Sequence, residues 1–239
     1  LWRRKVILHV HGAEFDRFFD EAATSLKRVI TWRLMWADLV IALSEGWRER
    51  LRQMSPEARI RVLPNPIDTR TFAGLVESRP PVHDAGGTVL FLGAFTKRKG
   101  IYDLVEIAAE VVARRPSVCF ELGGDRDVRE VERLVRQRGI SGNVRIMGWV
   151  RGREKIEAFE RAHVFILPSY HKGLPMAVIE ALAAGLPLVT TPVGGIPEVV
   201  RDGVNGIIVE PGDVGAAASA IVRLLEDNDL RDRMSRANV

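Results

Sequence analysis

The segment Pro168-Ser-Tyr-His-Lys-Gly-Leu-Pro-Met-Ala-Val-Ile-Glu180 joins an apolar strand end, a polar loop and a helix start that carries one carboxylate. The chemistry this pattern serves is anion binding. Gly173 lets backbone approach a ligand closely, and Pro175 suits a first helical turn, where its φ is pre-set and its missing N–H costs nothing. Free amides at such a turn, with the helix dipole behind them, favour phosphate. Glu180 follows about a turn and a half later, within reach of the ribose hydroxyls of a ligand held at the loop. The same residues also fit an ordinary strand–loop–helix unit, so this loop alone leaves both readings open. A second loop, Gly93-Ala-Phe-Thr-Lys-Arg-Lys-Gly100, sets three consecutive cations between glycines at another helix start.

The elements that must position these loops follow from the apolar pattern. From Thr88 onward six strand-like runs alternate with helical patterns: Val89–Leu92, Val118–Leu122, Val144–Met147, Val164–Leu167, Leu188–Thr190 and Gly206–Val209. A last helix runs through Leu225. Such alternation predicts an α/β fold with a doubly wound parallel sheet. In the strand order 3-2-1-4-5-6 the first and fourth strands are neighbours, and ligands bind where the loops after them part. Those are the two loops singled out above, and two phosphate-friendly loops meeting at one crevice make a nucleotide diphosphate the expected ligand. No Gly-x-x-x-x-Gly-Lys-Ser/Thr and no Gly-x-Gly-x-x-Gly follows any strand, which excludes a Walker A site and counts against dinucleotide redox chemistry.

Ahead of this sheet, Lys5–Val10, Leu39–Leu43 and Ile60–Leu63 read as strands, with helices over about Asp16–Trp36 and Glu45–Met54. Pro64-Asn-Pro-Ile-Asp68 and the punctuated polar run to Gly87 read as a linker. The expected division is therefore residues 1–80, a smaller α/β part with its linker, and 81–239, a complete doubly wound domain.

Composition narrows the class further. The 239 residues are 46% hydrophobic, enough to bury a core in one large domain or two small ones. No apolar run reaches the ~18 residues of a membrane span, and the apolar stretch near the start is too short for a secretory signal. With Cys119 as the single cysteine no intrachain disulfide can form, and its apolar surroundings suit an inert core thiol. The net charge of +4 matches the excess of 12 Lys or Arg over 8 Asp or Glu up to Arg61, a stretch that also holds Trp2, Trp32, Trp36 and Trp47. Trp32 and Trp36, beside Lys27, Arg28 and Arg33, suit either docking on anionic lipid headgroups or a core-facing aromatic stripe with solvated charges opposite. Basic and acidic residues are interleaved and no recognition motif occurs, which argues against nucleic acid. These features fit a reducing cytoplasm, and the expectation is a cytoplasmic protein, with the inner face of the cell membrane as the further site.

The chain resembles the GT-B glycosyltransferases of family 4, the retaining group 1 enzymes that use sugar nucleotides. The resemblance rests on Val10-His-Gly12, Ala37 to Ser44, Val62-Leu-Pro-Asn-Pro-Ile-Asp68, the Gly93 to Gly100 loop, Gly148-Trp-Val150, Leu167-Pro-Ser169, Gly173 to Ala181 and Thr191 to Glu198. Each is weak alone, but their order and spacing are specific. The resemblance implies two facing Rossmann-like domains and transfer of a hexosyl unit, with retention and no required metal or cofactor, from a UDP-, GDP- or ADP-sugar to a glycan or lipid-linked acceptor of the cell envelope. It implies that Lys99 binds the diphosphate and that Glu180, the second glutamate of a Glu-x7-Glu motif, holds the ribose. Gly93, with Gly173, Leu174 and Met176, would approach the phosphates or transferred sugar. Gly123, Gly124, Gly148, Trp149 and Val150 would border the nucleoside, and His11 would touch the donor sugar.

Two positions depart from the family. Lys172 replaces the first glutamate of the motif, and Ala94 stands where an arginine binds the diphosphate. An ammonium cannot accept from sugar hydroxyls, although Lys172 could pair with the β-phosphate or an acidic sugar, and Lys97 or Arg98 could replace the arginine. The chain also begins near the middle of the family's N-terminal domain, so the expectation is a truncated enzyme whose first part exposes apolar edges. A non-catalytic sugar-nucleotide-binding or partner subunit is the alternative. Asp125 and Asp127 follow Gly123-Gly124 in a βα turn, where helix capping explains them better than metal binding.

Overall fold

The computed structural model describes residues 4–11, 14–82, 86–170 and 173–238. The chain forms two compact units, one of residues 1–66 with 172–174 and the other of 67–171 with 175–239. The first holds strands β1 (Ile7–His9), β2 (Leu39–Ala42) and β3 (Ile60–Val62), parallel and in the order β1-β2-β3. Helix Glu45–Met54 starts as its sequence demands, with the Ser44 hydroxyl accepting from the Trp47 amide at 3.2 Å. Val40, Ala42, Trp47, Leu51 and Leu34 form the core of this unit.

The helical pattern from Asp16 to Trp36 is two helices, Phe15–Glu21 and Thr24–Trp36, broken at the extended residues Ala22 and Ala23. The break turns Phe15 and Phe19 of one helix, and Ile30 and Leu34 of the other, onto the same core. The Lys27 ammonium seals it by donating to the Asp20 carbonyl at 2.8 Å. Helix Thr24–Trp36 is then held to its neighbour by Thr31 Oγ1, which donates to the Met54 carbonyl at 2.9 Å. Trp32 and Trp36 are 44% and 55% exposed, so the core-facing reading of this aromatic pair is not what forms. Ile30 and Leu34 fill the inward face, which leaves Trp32, Trp36, Leu26 and Val29 outside.

The second unit carries β4 (Thr88–Leu92), β5 (Cys119–Gly123), β6 (Val144–Gly148), β7 (Val164–Leu167), β8 (Leu188–Thr190) and β9 (Gly206–Ile208). They are all parallel, in the order β6-β5-β4-β7-β8-β9, which is the doubly wound arrangement with the first and fourth strands of the sheet side by side. Helices cover both faces, so the central strands read as unbroken apolar runs, and Val89, Leu90, Phe91, Phe165 and Ile166 are fully buried. The one buried carboxylate of β5, Glu121, accepts from Arg161 at 3.0 Å and from Arg145 at 3.4 Å.

The run read as a linker is packed into the second unit from Ile67 onward. Phe72 is buried edge-on against Phe159, with ring centroids 5.7 Å apart, and Leu75 is buried beside it in sequence. Arg79 donates to the Ala184 carbonyl at 2.6 Å and the Gly185 carbonyl at 3.2 Å, at the end of helix Met176–Ala183. The His163 ring bridges the Thr88 amide, which donates to Nδ1, and the Pro80 carbonyl, each at 2.9 Å. Past the helix Val214–Glu226 a further helix, Asn228–Arg236, folds back, and its buried Arg231 donates to the Leu224 carbonyl at 2.9 Å.

Candidate functional site

At the C-terminal ends of β4 and β7 the two singled-out loops are bonded to each other. The Tyr170 amide donates to the Arg98 carbonyl at 3.0 Å, and the Ser169 hydroxyl donates to the same carbonyl at 3.2 Å. The turn Lys97–Lys99 ends at Gly100, whose φ of 71° belongs to the left-handed region that glycine adopts without penalty. A Cβ at Gly100 would overlap the Pro168 carbonyl, so only glycine allows the loops this close. The Tyr170 hydroxyl donates to Asp103 at 2.7 Å, which ties the loop after β7 to helix Ile101–Arg114.

The loops after β5 and β6 join the same end of the sheet. The Gly93 amide donates to the Gly123 carbonyl at 2.9 Å, and the Gly124 amide to the Gly148 carbonyl at 2.7 Å. A Cβ at Gly124 would overlap the Gly93 carbonyl and the Phe95 ring, which accounts for the glycine there. Asp127 occupies the N-cap position of helix Val128–Gln137, but its carboxylate accepts the Tyr102 hydroxyl at 2.7 Å and makes no side-chain cap. The expected capping role is therefore a bond between elements instead, since Tyr102 lies close enough to compete for the carboxylate. After β6, Trp149 is exposed and Val150 is buried.

Lys99 is the one member of the cationic loop that is partly withdrawn from solvent, whereas Lys97 and Arg98 are exposed. Burial, and secondarily repulsion from Arg98, lower its pKa from 10.5 to about 8. No carboxylate pairs with it among the described residues. An ammonium so placed lacks a counter-charge, and an anion bound between the two loops would supply one.

Helix Met176–Ala183 begins one residue later than its proline suggests: Pro175 is at the N-cap, with ψ at 137°. Its first-turn amides have no intrahelical acceptors, as at any helix start. Glu180 lies on this helix, its side chain 14% exposed, and one carboxylate oxygen accepts from the Lys155 ammonium at 2.6 Å. Lys155 was not singled out by the sequence motifs. Its signal was a cation on the inward stripe of helix Gly152–Arg161, one turn before the buried Ala158 and Phe159, where the helical period calls for an apolar residue.

The second unit thus brings together Gly93, Lys97, Arg98, Lys99, Gly123, Gly124, Gly148, Trp149, Val150, Met176 and Glu180 at or near the ends of β4 to β7. Gly173 and Leu174 are half-buried and group with the first unit, as does His11, whose ring lies 3.8 Å from that of His9. Lys172 lies outside the described residues, so its expected role has no geometry here. Among the described residues no cluster of His, Cys, Asp or Glu has the makings of a metal site, and no helix is long and apolar enough to cross a membrane. Cys119 is half-buried, and its thiol pKa is raised first by burial and then by Glu121.

Residues 86–227 match the family described as glycosyl transferases group 1, and residues 1–71 match glycosyltransferase family 4. The chain is 32% identical, over 200 residues, to the lipopolysaccharide core biosynthesis glycosyltransferase LpsE of Rhizobium meliloti, a match that covers 83% of this chain and 57% of that protein. It is 26% identical to the alpha-D-kanosaminyltransferase of Streptomyces kanamyceticus, over 96% of this chain and 64% of the relative. Among solved structures, sucrose-phosphate synthase from Thermosynechococcus elongatus superposes with a TM-score of 0.82 at 25% identity, covering 97% of this chain and 61% of that one. The Anabaena protein HepE, solved with UDP and glucose, has the same fold, with a TM-score of 0.82 at 20% identity over 99% of this chain and 66% of its own. The chain spans less than two thirds of the length of the curated relatives it matches, 57% and 64% of the two named here. With its doubly wound six-stranded sheet, its second, smaller parallel sheet and these matches, the chain belongs to the group 1, family 4 glycosyltransferases of the GT-B fold.

Proposed function

We propose that this protein transfers a hexosyl unit, with retention, from a nucleotide-diphosphate sugar to a glycan or lipid-linked acceptor. The observation that carries the reading is Lys99, an ammonium without a carboxylate partner among the described residues, set beside two loops that bond to each other at the switch point of the sheet. The donor diphosphate lies against Lys99 and the start of helix Met176–Ala183, where cation and helix-start amides stabilise the charge that grows on the leaving group. Glu180 accepts from the ribose, and the glycine-bearing turns after β5 and β6 border the base, with backbone rather than side chains nearest the ligand. His11 and Lys172 are assigned to the transferred sugar or its phosphates through the family resemblance. No metal or other cofactor is assigned a step.

Two relatives support the choice of donor and acceptor classes. HepE is solved with UDP and glucose, and the Rhizobium relative is named for lipopolysaccharide core biosynthesis. A UDP-, GDP- or ADP-sugar and an envelope glycan or glycolipid are the corresponding assignments here. Trp32, exposed with the Arg33 guanidinium 5.0 Å from its ring centroid, and the neighbouring basic residues are assigned to contact with an anionic membrane surface at the cytoplasmic face. Co-sedimentation with phosphatidylglycerol vesicles, lost on Trp32→Ser with Arg33→Ser, is the expected result. Equal sedimentation of the variant would remove that assignment.

The decisive experiment for the function is turnover by the intact protein with each sugar nucleotide, with the anomeric configuration of the product read by NMR. An axial donor linkage that reappears in the product supports retention, and an inverted product refutes it. Failure of the folded protein to bind any of the three nucleotides would instead favour the partner-subunit alternative.

A further inference from the structure

Glu180 is a carboxylate in a largely enclosed position, and a side chain with three rotatable bonds presents no fixed acceptor unless something holds it. Here something does. The Lys155 ammonium reaches across from helix Gly152–Arg161 and donates to Oε1 at 2.6 Å, with both side chains more than two thirds covered. A charge-assisted bond this short fixes direction as well as charge. The second oxygen, Oε2, accepts from no described residue.

We propose that Lys155 is a positioning residue for donor recognition, holding Glu180 by Oε1 so that Oε2 is left oriented to accept from the ribose hydroxyls. This rests on the reading of Glu180 as the ribose acceptor. The alternative geometry, in which the lysine blocks the carboxylate until a ligand displaces it, would leave a buried ammonium without a partner in the complex, at a cost the single bond to Oε1 avoids. Lys155 sits on the inward stripe of its helix, where a hydrocarbon side chain would pack, and this cation spends that position on a carboxylate.

The test separates the lysine from the ribose reading beneath it. Dissociation constants of the intact protein are measured for UDP, GDP and ADP and, for each nucleotide that binds, for its 2′,3′-dideoxy counterpart. The ratio of the two isolates the ribose contribution, and the dideoxy value alone reports whether a variant is folded and binds diphosphate. The wild type is expected to prefer the ribose form by about tenfold or more, and Glu180→Gln to lose most of that. Lys155→Met is expected to lower the ratio to within about threefold of unity with the dideoxy affinity unchanged, and Lys155→Arg, which keeps charge and donor, to restore it. A full ratio in Lys155→Met, alongside a collapsed one in Glu180→Gln, overturns the proposal and leaves Glu180 in place. A raised ratio in Lys155→Met shows a competing lysine and overturns it as well. A wild-type ratio near one, or no nucleotide bound, defeats the reading of Glu180 and this proposal with it.

Discussion

At Lys99 burial opposes the charge that the proposed diphosphate site calls for. Its pKa of about 8 against an ordinary 10.5 means that the folded, unliganded protein binds this proton more weakly than the unfolded chain. Stability of the unliganded protein therefore rises with pH between about 8 and 10.5 on this account, and is lowest where the ammonium is fully charged. The diphosphate proposed to bind beside Lys99 would reverse the balance, because it favours the charged form and draws the pKa back up. Nucleotide diphosphate affinity is accordingly expected to be level below pH 8 and to fall above it, approaching tenfold per pH unit, as proton uptake becomes part of binding. Calorimetric titration of a nucleotide diphosphate at pH 7, 8 and 9 checks this. Lys99→Met should bind about tenfold to a hundredfold more weakly at pH 7 and show a flatter profile, since a charged hydrogen bond contributes about 1.5–3 kcal/mol. A wild-type profile without a decline above pH 8 would mean that the ligand does not rely on this ammonium.

At the scale of elements, the site depends on how closely the turn Lys97–Lys99 approaches the end of β7. Gly100→Ala would combine a left-handed φ with overlap on the Pro168 carbonyl, and is expected to cost about 3 kcal/mol or more in thermal or urea unfolding, with loss of nucleotide binding. Arg79 acts at the C-terminal end of helix Met176–Ala183, where its guanidinium, its pKa lowered to about 10 chiefly by burial, donates to the Ala184 and Gly185 carbonyls. Arg79→Met should destabilise by about 1–3 kcal/mol through an orphaned Ala184 carbonyl and a lost charge at the helix C-terminus, the Gly185 carbonyl keeping the Ser235 hydroxyl as donor at 2.6 Å. An unfolding midpoint unchanged by this variant would show that the run from Ile67 to Pro80 docks without it. Much of this framework was legible: the six apolar runs, their order, and the meeting of two glycine-bounded loops follow from patterns with a fixed period and from one topological rule. What was not legible depended on contacts between distant segments. Phe72 and Leu75 look like stray apolar residues in a polar run until Phe159 is beside one of them, and two alanines give no local reason for the break after Glu21. Lys155 escaped for the same reason, since its partner is 25 residues away. The exposure of Trp32 reflects a helix with apolar residues on more than one face, from which periodicity alone could not choose the core side.

For the molecule as a whole, the two units differ in what they can bury. The second has a six-stranded sheet with helices on both faces, its central strands fully buried, and the segment from Ile67 packed into it through Phe72, Leu75 and Arg79. The first has three short strands, and Ile7, Val29, Trp36 and Leu63 remain more than half exposed on it. A unit of that size buries too small a fraction of its surface to offset chain entropy with a margin, and an uncovered apolar surface invites association. A fragment of residues 67–239 is therefore expected to unfold in one cooperative transition and to retain nucleotide diphosphate binding within about tenfold of the longer chain, because Lys99, Glu180 and Lys155 all reside in it. A fragment of residues 1–66 is expected to lack a cooperative transition or to self-associate. Thermal unfolding and analytical ultracentrifugation of both fragments decide the matter. Loss of cooperativity in the larger fragment would show that its core leans on the first unit, and a stable monomeric small fragment would show that three strands and their helices suffice.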